Sequence, residues 1–364
     1  MKILFLIDNL GSGGAQRQMT TIACLLKNRA YDVSFLVYSE ENFFRKCLVD
    51  NNIQVVTISS KNVIGRMFRI RKFIRNGNYD VVISFMDVPN FLNCFAAIGG
   101  HRWKVITSER SAKQSTFKNR KNKVFNWFQR FSDVIICNSL SSHNLWRLNY
   151  SCFEEKLKVI YNTVRISNLT SPYTPLNNGK INIVIAASYQ GLKNPVGVVK
   201  ALSLLSDEER NRFKIDWYGR KDVDLIAGTR VYEESLKLVQ NNCLEGIIQL
   251  HGPTKDIHNR MLEADFVGLF STVEGLPNVI CEAMTIGKPV VMTKVSDYNV
   301  FVDDKNGVIC DKITPDSIAE ALRQVLRYSL EEIITMGTHS HEKSKKLFDS
   351  ELIINQWIQL ITNL

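Results

Sequence analysis

The stretch Ser271–Met284, STVEGLPNVICEAM, directly follows the apolar segment Phe266–Phe270. The apolar segment is short and continuously hydrophobic, as expected for a parallel strand that is buried on both faces. Pro277 suits the first turn of a helix, so the sequence predicts a helix that begins near Leu276. A strand, a short loop and a helix in this order predict one unit of an α/β sheet.

Two carboxylates flank the start of this predicted helix. Glu274 lies in the loop, and Glu282 lies one to two turns inside the helix. One can accept hydrogen bonds from a sugar hydroxyl and the other from a ribose, while the free helix amides between them suit a phosphate. The alternative is that Glu274 only stabilises the helix N-terminus and that Glu282 is a solvated surface residue. The intervening candidate residues are Gly275, Leu276, Pro277, Asn278 and Val279.

Short apolar segments alternate with segments of helical spacing on both sides of residues 166–180. That interval is rich in Ser, Pro, Asn and Gly, a composition that predicts a linker. A chain of 364 residues also exceeds one ordinary domain. The sequence therefore predicts an α/β protein with two doubly wound, Rossmann-like domains, at residues 1–165 and 181–348, and a ligand cleft between them.

Charge is unevenly distributed along the chain. Residues 1–170 carry a net charge of +14, whereas residues 171–364 carry −4. The apolar start, Ile3–Ile7, is too short for a signal peptide or a membrane span. The eight Cys residues form no CxxC pair, so we expect reduced thiols in a cytoplasmic protein and neither a zinc site nor a disulfide framework.

A glycine-rich turn lies between the first predicted strand and helix. Gly13 and Gly14 let the backbone approach a ligand, the helix N-terminus behind them suits an anion, and Arg17 adds a positive charge. The glycine spacing differs from that of the dinucleotide-binding motif, and a plain tight turn is the alternative.

Two segments of the N-terminal half combine basic with bulky apolar residues. The first spans residues 61–75, and the second spans residues 113–131. Such segments suit a helix on an anionic membrane, or recognition of a lipid diphosphate. The alternative is an ordinary amphipathic helix, and no nucleic-acid-binding motif accompanies the charge. The residues chosen for the second surface are Lys113, Lys118, Lys121, Lys123 and Trp127.

Together these motifs resemble the retaining family 4 glycosyltransferases of GT-B fold, and the resemblance extends over nearly the whole chain. It rests on Glu274-Gly275-Leu276-Pro277-Asn278 with Glu282-Ala283-Met284, on Gly287-Lys288-Pro289-Val290-Val291, on Lys193-Asn194, on Asn306-Gly307 and on the N-terminal glycine turn. The family implies that a C-terminal helix, residues 349–364, crosses back to the N-terminal domain. It also implies sugar transfer from a UDP- or GDP-linked donor to a glycan, without a metal or another cofactor.

The resemblance also implies roles for individual residues. Glu282 would bind the donor ribose, Glu274 the donor sugar, and Lys193 with the Gly13-Gly14 backbone the diphosphate. We place Asn194 and Gly252 in the donor site as well. The implied acceptor is lipid-linked, on a polyprenyl diphosphate in bacterial surface polysaccharide or O-antigen assembly, at the cytoplasmic face of the inner membrane.

Two departures from the family pattern affect these expectations. Many members have an Arg shortly before the Lys-Asn pair, whereas residues 187–190 contain none, so Arg17 or Arg110 is a candidate substitute. Many members also have a His where this chain has Glu109-Arg110. We expect Glu109 or Arg110 to face the acceptor or the transferred sugar, with a buried ion pair as the alternative.

Three other functions remain open at this stage. A nucleotide-sugar epimerase of the same fold would need acid and base groups but no acceptor. A catalytically degenerate protein would bind nucleotide without turnover. A nucleic-acid-binding protein would show salt-sensitive binding to DNA or RNA and no effect of nucleotide sugars.

Overall fold

The computed structural model describes residues 1–112, 114–166, 179–226 and 229–363. The chain forms two compact units: unit 1 comprises Met1–Thr163 and Ser350–Leu364, and unit 2 comprises Val164–Asp349. The predicted linker at residues 166–180 lies largely outside the described residues. The predicted surface residue Lys113 lies outside them as well.

Unit 1 alternates strands with helices. Its strands are β1 (Lys2–Leu6), β2 (Asp32–Val37), β3 (Gln54–Thr57), β4 (Val81–Phe85), β5 (Lys104–Glu109), β6 (Val134–Cys137) and β7 (Leu157–Val159). Its first helices are α1 (Gly14–Lys27), α2 (Arg45–Asp50), α3 (Val63–Asn76), α4 (Asp87–Ala97), α5 (Ser115–Lys118), α6 (Arg120–Phe128) and α7 (Leu140–Asn149). The strands pair in parallel in the order β3-β2-β1-β4-β5-β6-β7.

Unit 2 repeats this pattern. Its strands are β8 (Ile181–Ala186), β9 (Phe213–Tyr218), β10 (Leu225–Ile226), β11 (Thr229–Arg230), β12 (Ile248–His251), β13 (Phe266–Leu269), β14 (Val290–Thr293) and β15 (Gly307–Cys310). Its helices are α8 (Pro195–Ser203), α9 (Asp207–Asn211), α10 (Val231–Asn241), α11 (Ile257–Glu263), α12 (Asn278–Ile286), α13 (Tyr298–Phe301), α14 (Pro315–Val325) and α15 (Leu330–Phe348). The main sheet is parallel, in the order β12-β9-β8-β13-β14-β15, and β10 and β11 form a separate antiparallel pair.

The central strands of both sheets are buried on both faces, which explains their continuous hydrophobicity. Strand β4 is buried throughout, and so is β13. Helices must therefore cover each sheet on both sides, as the sequence predicted. In each sheet the chain order reverses between two central strands, β1 and β4 in unit 1 and β8 and β13 in unit 2. Ligands of doubly wound sheets bind beyond the carboxyl ends of the strands at such a reversal.

The last helix, α16 (Ser350–Asn363), belongs to unit 1 and packs against it. Trp357 is 1% exposed, and its ring stacks on that of Phe85 with centroids 6.2 Å apart. Arg29, just beyond α1, forms an ion pair with Glu351 at the start of α16. The C-terminal segment thus completes the core on the α1 side of the unit 1 sheet.

Candidate functional site

The chain reversal of unit 2 brings together the connections that follow β8 and β13. The Thr272 amide donates a hydrogen bond to the carbonyl of Leu192 over 2.8 Å. The Thr272 hydroxyl donates to the same carbonyl over 3.3 Å. This double contact aligns the connection that carries Lys193 with the loop that carries Glu274.

Lys193 and Glu274 form an ion pair at this point. Ser271 donates a second hydrogen bond to the same carboxylate oxygen, Oε1 of Glu274, over 2.6 Å. The two charged side chains are 23% and 13% exposed, so the pair is largely screened from water yet open to a ligand. An anionic ligand that takes the Lys193 ammonium would leave the Glu274 carboxylate able to accept hydrogen bonds from ligand hydroxyls.

Lys193 ends a 3₁₀ turn, Gly191–Lys193, and Asn194 follows in the left-handed conformation with φ 60°. Asn tolerates this conformation better than most residues do. Pro195 then starts α8 at the position where proline is favoured. The Lys-Asn-Pro sequence therefore turns the chain sharply and leaves Lys193 at the edge of the sheet.

Helix α12 begins at Asn278, with Pro277 as its N-cap. The predicted start near Leu276, with Pro277 in the first turn, was therefore wrong by two residues. The loop before the helix is held by Ser296, whose hydroxyl donates to the carbonyl of Gly275. Leu276 and Pro277 are buried, whereas Val279 is half-buried. The first amides of α12 have no acceptor inside the helix, which suits this end for an anion.

Glu282 is 8% exposed and contacts His258 on α11, with His258 Nε2 3.0 Å from Glu282 Oε2. The expectation of a solvated surface residue, given as an alternative, was therefore wrong for Glu282. Sequence reasoning missed His258, because the two residues come from different helices and share no motif.

Gly252 follows β12 at the same edge of the sheet and is half-buried. His251 before it lies 2.7 Å from Asp216, between Nε2 and Oδ1, and stacks on the Tyr218 ring with centroids 4.5 Å apart. A planar, polar surface therefore lies beside Gly252, the residue that the sequence places in the donor site.

The glycine turn of unit 1 is exposed at Gly13 and Gly14, and α1 begins at Gly14 without a side-chain cap. Gln16 donates hydrogen bonds to Asp8 and Asn9, each over 3.3 Å. Burial raises the pKa of Asp8. Arg17 is half-buried one turn into the helix. The structure thus leaves the backbone of this turn accessible to a ligand.

Glu109 and Arg110 have different partners and are not paired with each other by a hydrogen bond among the described residues. Glu109 is 3% exposed and accepts hydrogen bonds from Asn90 (2.8 Å) and Gln129 (2.9 Å). Burial, and secondly the charge of Asp87, raise the pKa of Glu109 to about 8. Its carboxyl group is therefore part of a buried polar network.

Arg110 lies over the Phe85 ring, with Cζ 3.6 Å from the centroid, and donates from Nη1 to Asn162 over 2.7 Å. Its Nε and Nη2 atoms are buried and have no hydrogen-bond partner within the described part of the chain. Burial lowers the pKa of Arg110. Buried donors without acceptors are costly, so these two groups are suited to a polar or anionic ligand.

We expect Glu109→Gln to remove a pH dependence of stability. A folded-state pKa above the unfolded value means that the protonated carboxyl stabilises the fold at low pH. This contribution is lost as the pH rises through about 8. Between about pH 5 and about pH 9 the wild type should lose on the order of 2–4 kcal/mol that the variant retains, measured by urea unfolding. Glu154→Gln, an exposed site in the same unit, is the control. Parallel losses in all three proteins would show that Glu109 is already ionised in the fold.

The second basic segment forms α5 and α6 with the turn that follows. Lys118, Lys121 and Lys123 are exposed, and Trp127 is 47% exposed beneath the Arg130 guanidinium, whose Cζ lies 4.2 Å from the ring centroid. The other aromatic rings of α6 turn inward, because Phe125 and Phe128 pack on α4. The exposed surface is thus basic and includes the Trp127 indole.

The first basic segment divides between two roles. Arg71 donates from Nη2 to the carbonyl of Ile98 over 2.7 Å, and Arg75 donates to that of Gly100 over 2.9 Å. These two residues therefore satisfy carbonyls at the C-terminal end of α4 and its following turn. Val63, Ile64 and Phe68 are more than half exposed on the first turns of α3. The first turns of α3 keep the predicted surface character, and Arg69 and Lys72 are exposed further along the segment.

The described residues contain no group of three or more His, Cys, Asp and Glu side chains that could hold a metal ion. Asp303, the first residue of the adjacent pair Asp303-Asp304, accepts a hydrogen bond from Lys343 over 2.8 Å. No helix within the described ranges is long and apolar enough to cross a membrane.

Two doubly wound parallel sheets in one chain define a GT-B protein, so the predicted fold class is confirmed. Residues 12–168 match the model of "Glycosyltransferase Family 4", and residues 170–335 match that of "Glycosyl transferases group 1". Because the two matches together extend over residues 12–335, the chain belongs to the group 1, family 4 glycosyltransferases.

Known relatives extend over the whole chain. It is 26% identical to a Campylobacter jejuni GalNAc-alpha-(1->4)-GalNAc-alpha-(1->3)-diNAcBac-PP-undecaprenol alpha-1,4-N-acetyl-D-galactosaminyltransferase, covering 99% of this chain and 98% of the relative. It is 23% identical to the amylovoran biosynthesis glycosyltransferase AmsD of Erwinia amylovora, covering 99% of each. Anabaena HepE, solved in complex with UDP, superposes with a TM-score of 0.84 at 20% identity over 100% of both chains. The homologues of this chain thus include enzymes of bacterial polysaccharide biosynthesis.

Proposed function

We propose that this glycosyltransferase moves a sugar from a nucleotide-sugar donor to a lipid-linked glycan, with retention at the anomeric carbon and without a bound metal. The observation that carries the proposal is the convergence of Lys193, Glu274 and the N-terminus of α12 at the chain reversal of unit 2. One cation, one carboxylate and a set of free amides are the groups that a sugar diphosphate requires.

In the proposed reaction, the bond between the anomeric carbon and the diphosphate oxygen breaks. A bond from an acceptor hydroxyl oxygen to the same carbon forms on the same face of the sugar. The hydroxyl proton leaves with the departing diphosphate. Lys193 and the first amides of α12 stabilise the charge that develops on this leaving group, the role that a metal ion has in other transferases. Glu274 orients the sugar through its hydroxyls, and Glu282 holds the ribose.

We propose that Glu282 depends on His258 for its position. A carboxylate that is fixed by a neighbouring side chain can accept a ribose hydroxyl without losing conformational freedom on binding. Glu282→Gln should weaken nucleotide binding by about tenfold, because a hydrogen bond to a charged acceptor becomes one to a neutral acceptor. Titration calorimetry with UDP measures this effect, and Glu263→Gln, exposed on α11, is the control. Equal affinity in Glu282→Gln and wild type would remove Glu282 from the ribose site.

Support for a UDP donor comes from HepE, which was solved with UDP and with UDP-glucose. Support for the acceptor comes from the Campylobacter relative, whose name specifies an undecaprenol diphosphate-linked glycan. We infer that unit 1 binds the acceptor. The unpartnered donors of Arg110 suit the polar or anionic parts of the acceptor.

A thermal-shift series with UDP-, GDP-, ADP- and dTDP-sugars, without added metal, tests the donor assignment, because a ligand that binds only the folded state raises the melting temperature. A shift with one donor identifies the nucleotide. Release of nucleotide only when a lipid-linked acceptor is added then separates a transferase from an epimerase of the same fold. Absence of any shift in folded protein contradicts the proposed donor site.

We further propose that the basic surface around Trp127 holds the protein at the cytoplasmic face of the inner membrane. An exposed indole among lysines suits the interface of an anionic bilayer. Replacing Lys118, Lys121 and Lys123 by Glu should lower binding to phosphatidylglycerol-containing liposomes by about tenfold or more, measured by sedimentation.

The matched control changes three exposed lysines of unit 2, namely Lys200, Lys237 and Lys345. It alters the net charge by the same amount. An equal loss in both variants would indicate a general effect of charge, and unchanged binding in the unit 1 variant would leave the surface without a role at the membrane.

A further inference from the structure

The Lys193–Glu274 site of unit 2 has too little positive charge for a nucleoside diphosphate. A nucleoside diphosphate carries at least two negative charges, whereas Lys193 supplies one positive charge at the chain reversal of unit 2. That ammonium is already paired with Glu274, so the pair itself contributes no net charge. A second cation at the same edge of the unit 2 sheet would supply the missing charge, as an alternative to Arg17 and Arg110, which the sequence suggests for this role.

The neighbouring strand ends of this sheet supply several cations, most of which are engaged. Lys221 donates to the Tyr232 hydroxyl over 2.8 Å and lies over its ring. Lys294, which follows β14, lies 2.6 Å from Asp311. Lys255 is exposed but follows β12, two strands from β8, about 10 Å away.

Arg220 is different, because it follows β9, the strand that pairs directly with β8. It is exposed, and its guanidinium has neither a hydrogen bond nor an ion pair with any residue that the structure describes. Its backbone carbonyl accepts a hydrogen bond from the Tyr189 amide over 3.0 Å. Arg220 therefore begins directly beside the connection that carries Lys193.

Three further contacts hold the Arg220 loop against this connection. The Gly191 amide donates a hydrogen bond to Asp224 over 2.7 Å. Gly191 lies two residues before Lys193, which corresponds to at most about 7 Å of chain. A Cβ at Gly219 would lie 1.9 Å from the Ala187 carbonyl oxygen, so only glycine allows this approach. Tyr189, between these points, is fully buried, and its hydroxyl donates to the carbonyl of Trp217.

We propose that Arg220 is a second diphosphate-binding residue of the donor site, acting beside Lys193. The inference rests on the proposed function, because it assigns the cation that a diphosphate in unit 2 requires. A guanidinium can bind two phosphate oxygens at once. Its unpartnered state among the described residues leaves it available to do so without breaking an existing ion pair.

The test compares UDP, GDP and uridine as ligands of the full chain by titration calorimetry. Arg220→Ala should weaken binding of the diphosphate that the wild type prefers by about tenfold or more, because it removes hydrogen bonds to a charged group. If the preferred diphosphate is UDP, uridine, which lacks phosphates, should bind equally well to the wild type and to Arg220→Ala. Arg220→Lys should recover part of the affinity for the diphosphate.

Arg327→Ala is the matched control, since Arg327 is 73% exposed and lies at the opposite, amino-terminal edge of the sheet. This location follows because the carbonyl of its neighbour Leu326 accepts a hydrogen bond from Arg212, which directly precedes β9. Its diphosphate affinity should equal that of the wild type. A change of less than twofold in Arg220→Ala, or an equal loss with uridine, overturns the role of Arg220 and leaves the proposed function intact. A wild type that binds neither UDP nor GDP overturns both.

Discussion

Lys193→Ala should lower the turnover number by about 100- to 1000-fold, the loss typical for removal of one group that stabilises charge in a transition state. The reason is that the proposed leaving group gains its charge as the sugar departs, beside the Lys193 ammonium. The substitution also leaves the Glu274 carboxylate, 13% exposed, with Ser271 as its remaining described hydrogen-bond donor. Nucleotide release in the presence of a lipid-linked acceptor measures the effect.

The control for Lys193→Ala is Lys200→Ala, an exposed lysine on α8, the helix that follows the site turn. Its turnover should be unchanged. Melting temperatures of both variants separate a loss of chemistry from a loss of fold. Wild-type turnover in a folded Lys193→Ala protein would show that the Lys193–Glu274 pair is structural and that the charge of the leaving group is stabilised elsewhere.

Much of this architecture could be predicted because parallel sheets have a distinctive sequence pattern. Continuously apolar segments such as Val81–Phe85 and Phe266–Leu269 are buried on both faces and need no long-range information to be recognised. Lys193 and Glu274 each lie just beyond a strand at the chain reversal. The family resemblance placed Lys193 in the site, and the ion pair between the two side chains was not predicted. Local patterns thus predicted the strands, whereas the assignment of Lys193 to the site depended on the family resemblance.

Contacts between side chains from separate elements could not be predicted in this way. The His258–Glu282 contact joins two helices, and no spacing rule relates its members. Arg71 and Arg75 have the composition of a membrane-binding helix, yet they bind carbonyls at the end of α4, which only the packing of α3 reveals. Arg220 lies in no recognised motif, and its position beside the connection that carries Lys193 follows only from the pairing of β9 with β8.

Trp357→Ala should destabilise unit 1 by about 3–5 kcal/mol, the usual cost of truncating a fully buried tryptophan. Trp357 is 1% exposed and stacks on Phe85, so the variant leaves a cavity between α16 and the unit 1 sheet. Hydrogen exchange followed by mass spectrometry resolves the effect, because exchange should accelerate in residues 1–163 and much less in unit 2.

Leu352→Ala, on the same helix but 38% exposed, is the control and should cost less than about 1 kcal/mol. Uniform acceleration over both units would mean that they unfold together, whereas no acceleration would mean that α16 contributes little to the core. The effect extends to the candidate site of unit 1, because Trp357 stacks on the Phe85 ring and the Arg110 guanidinium lies over the same ring. A loosened Phe85 should therefore also weaken acceptor binding, which links the C-terminal helix to the function of the N-terminal unit.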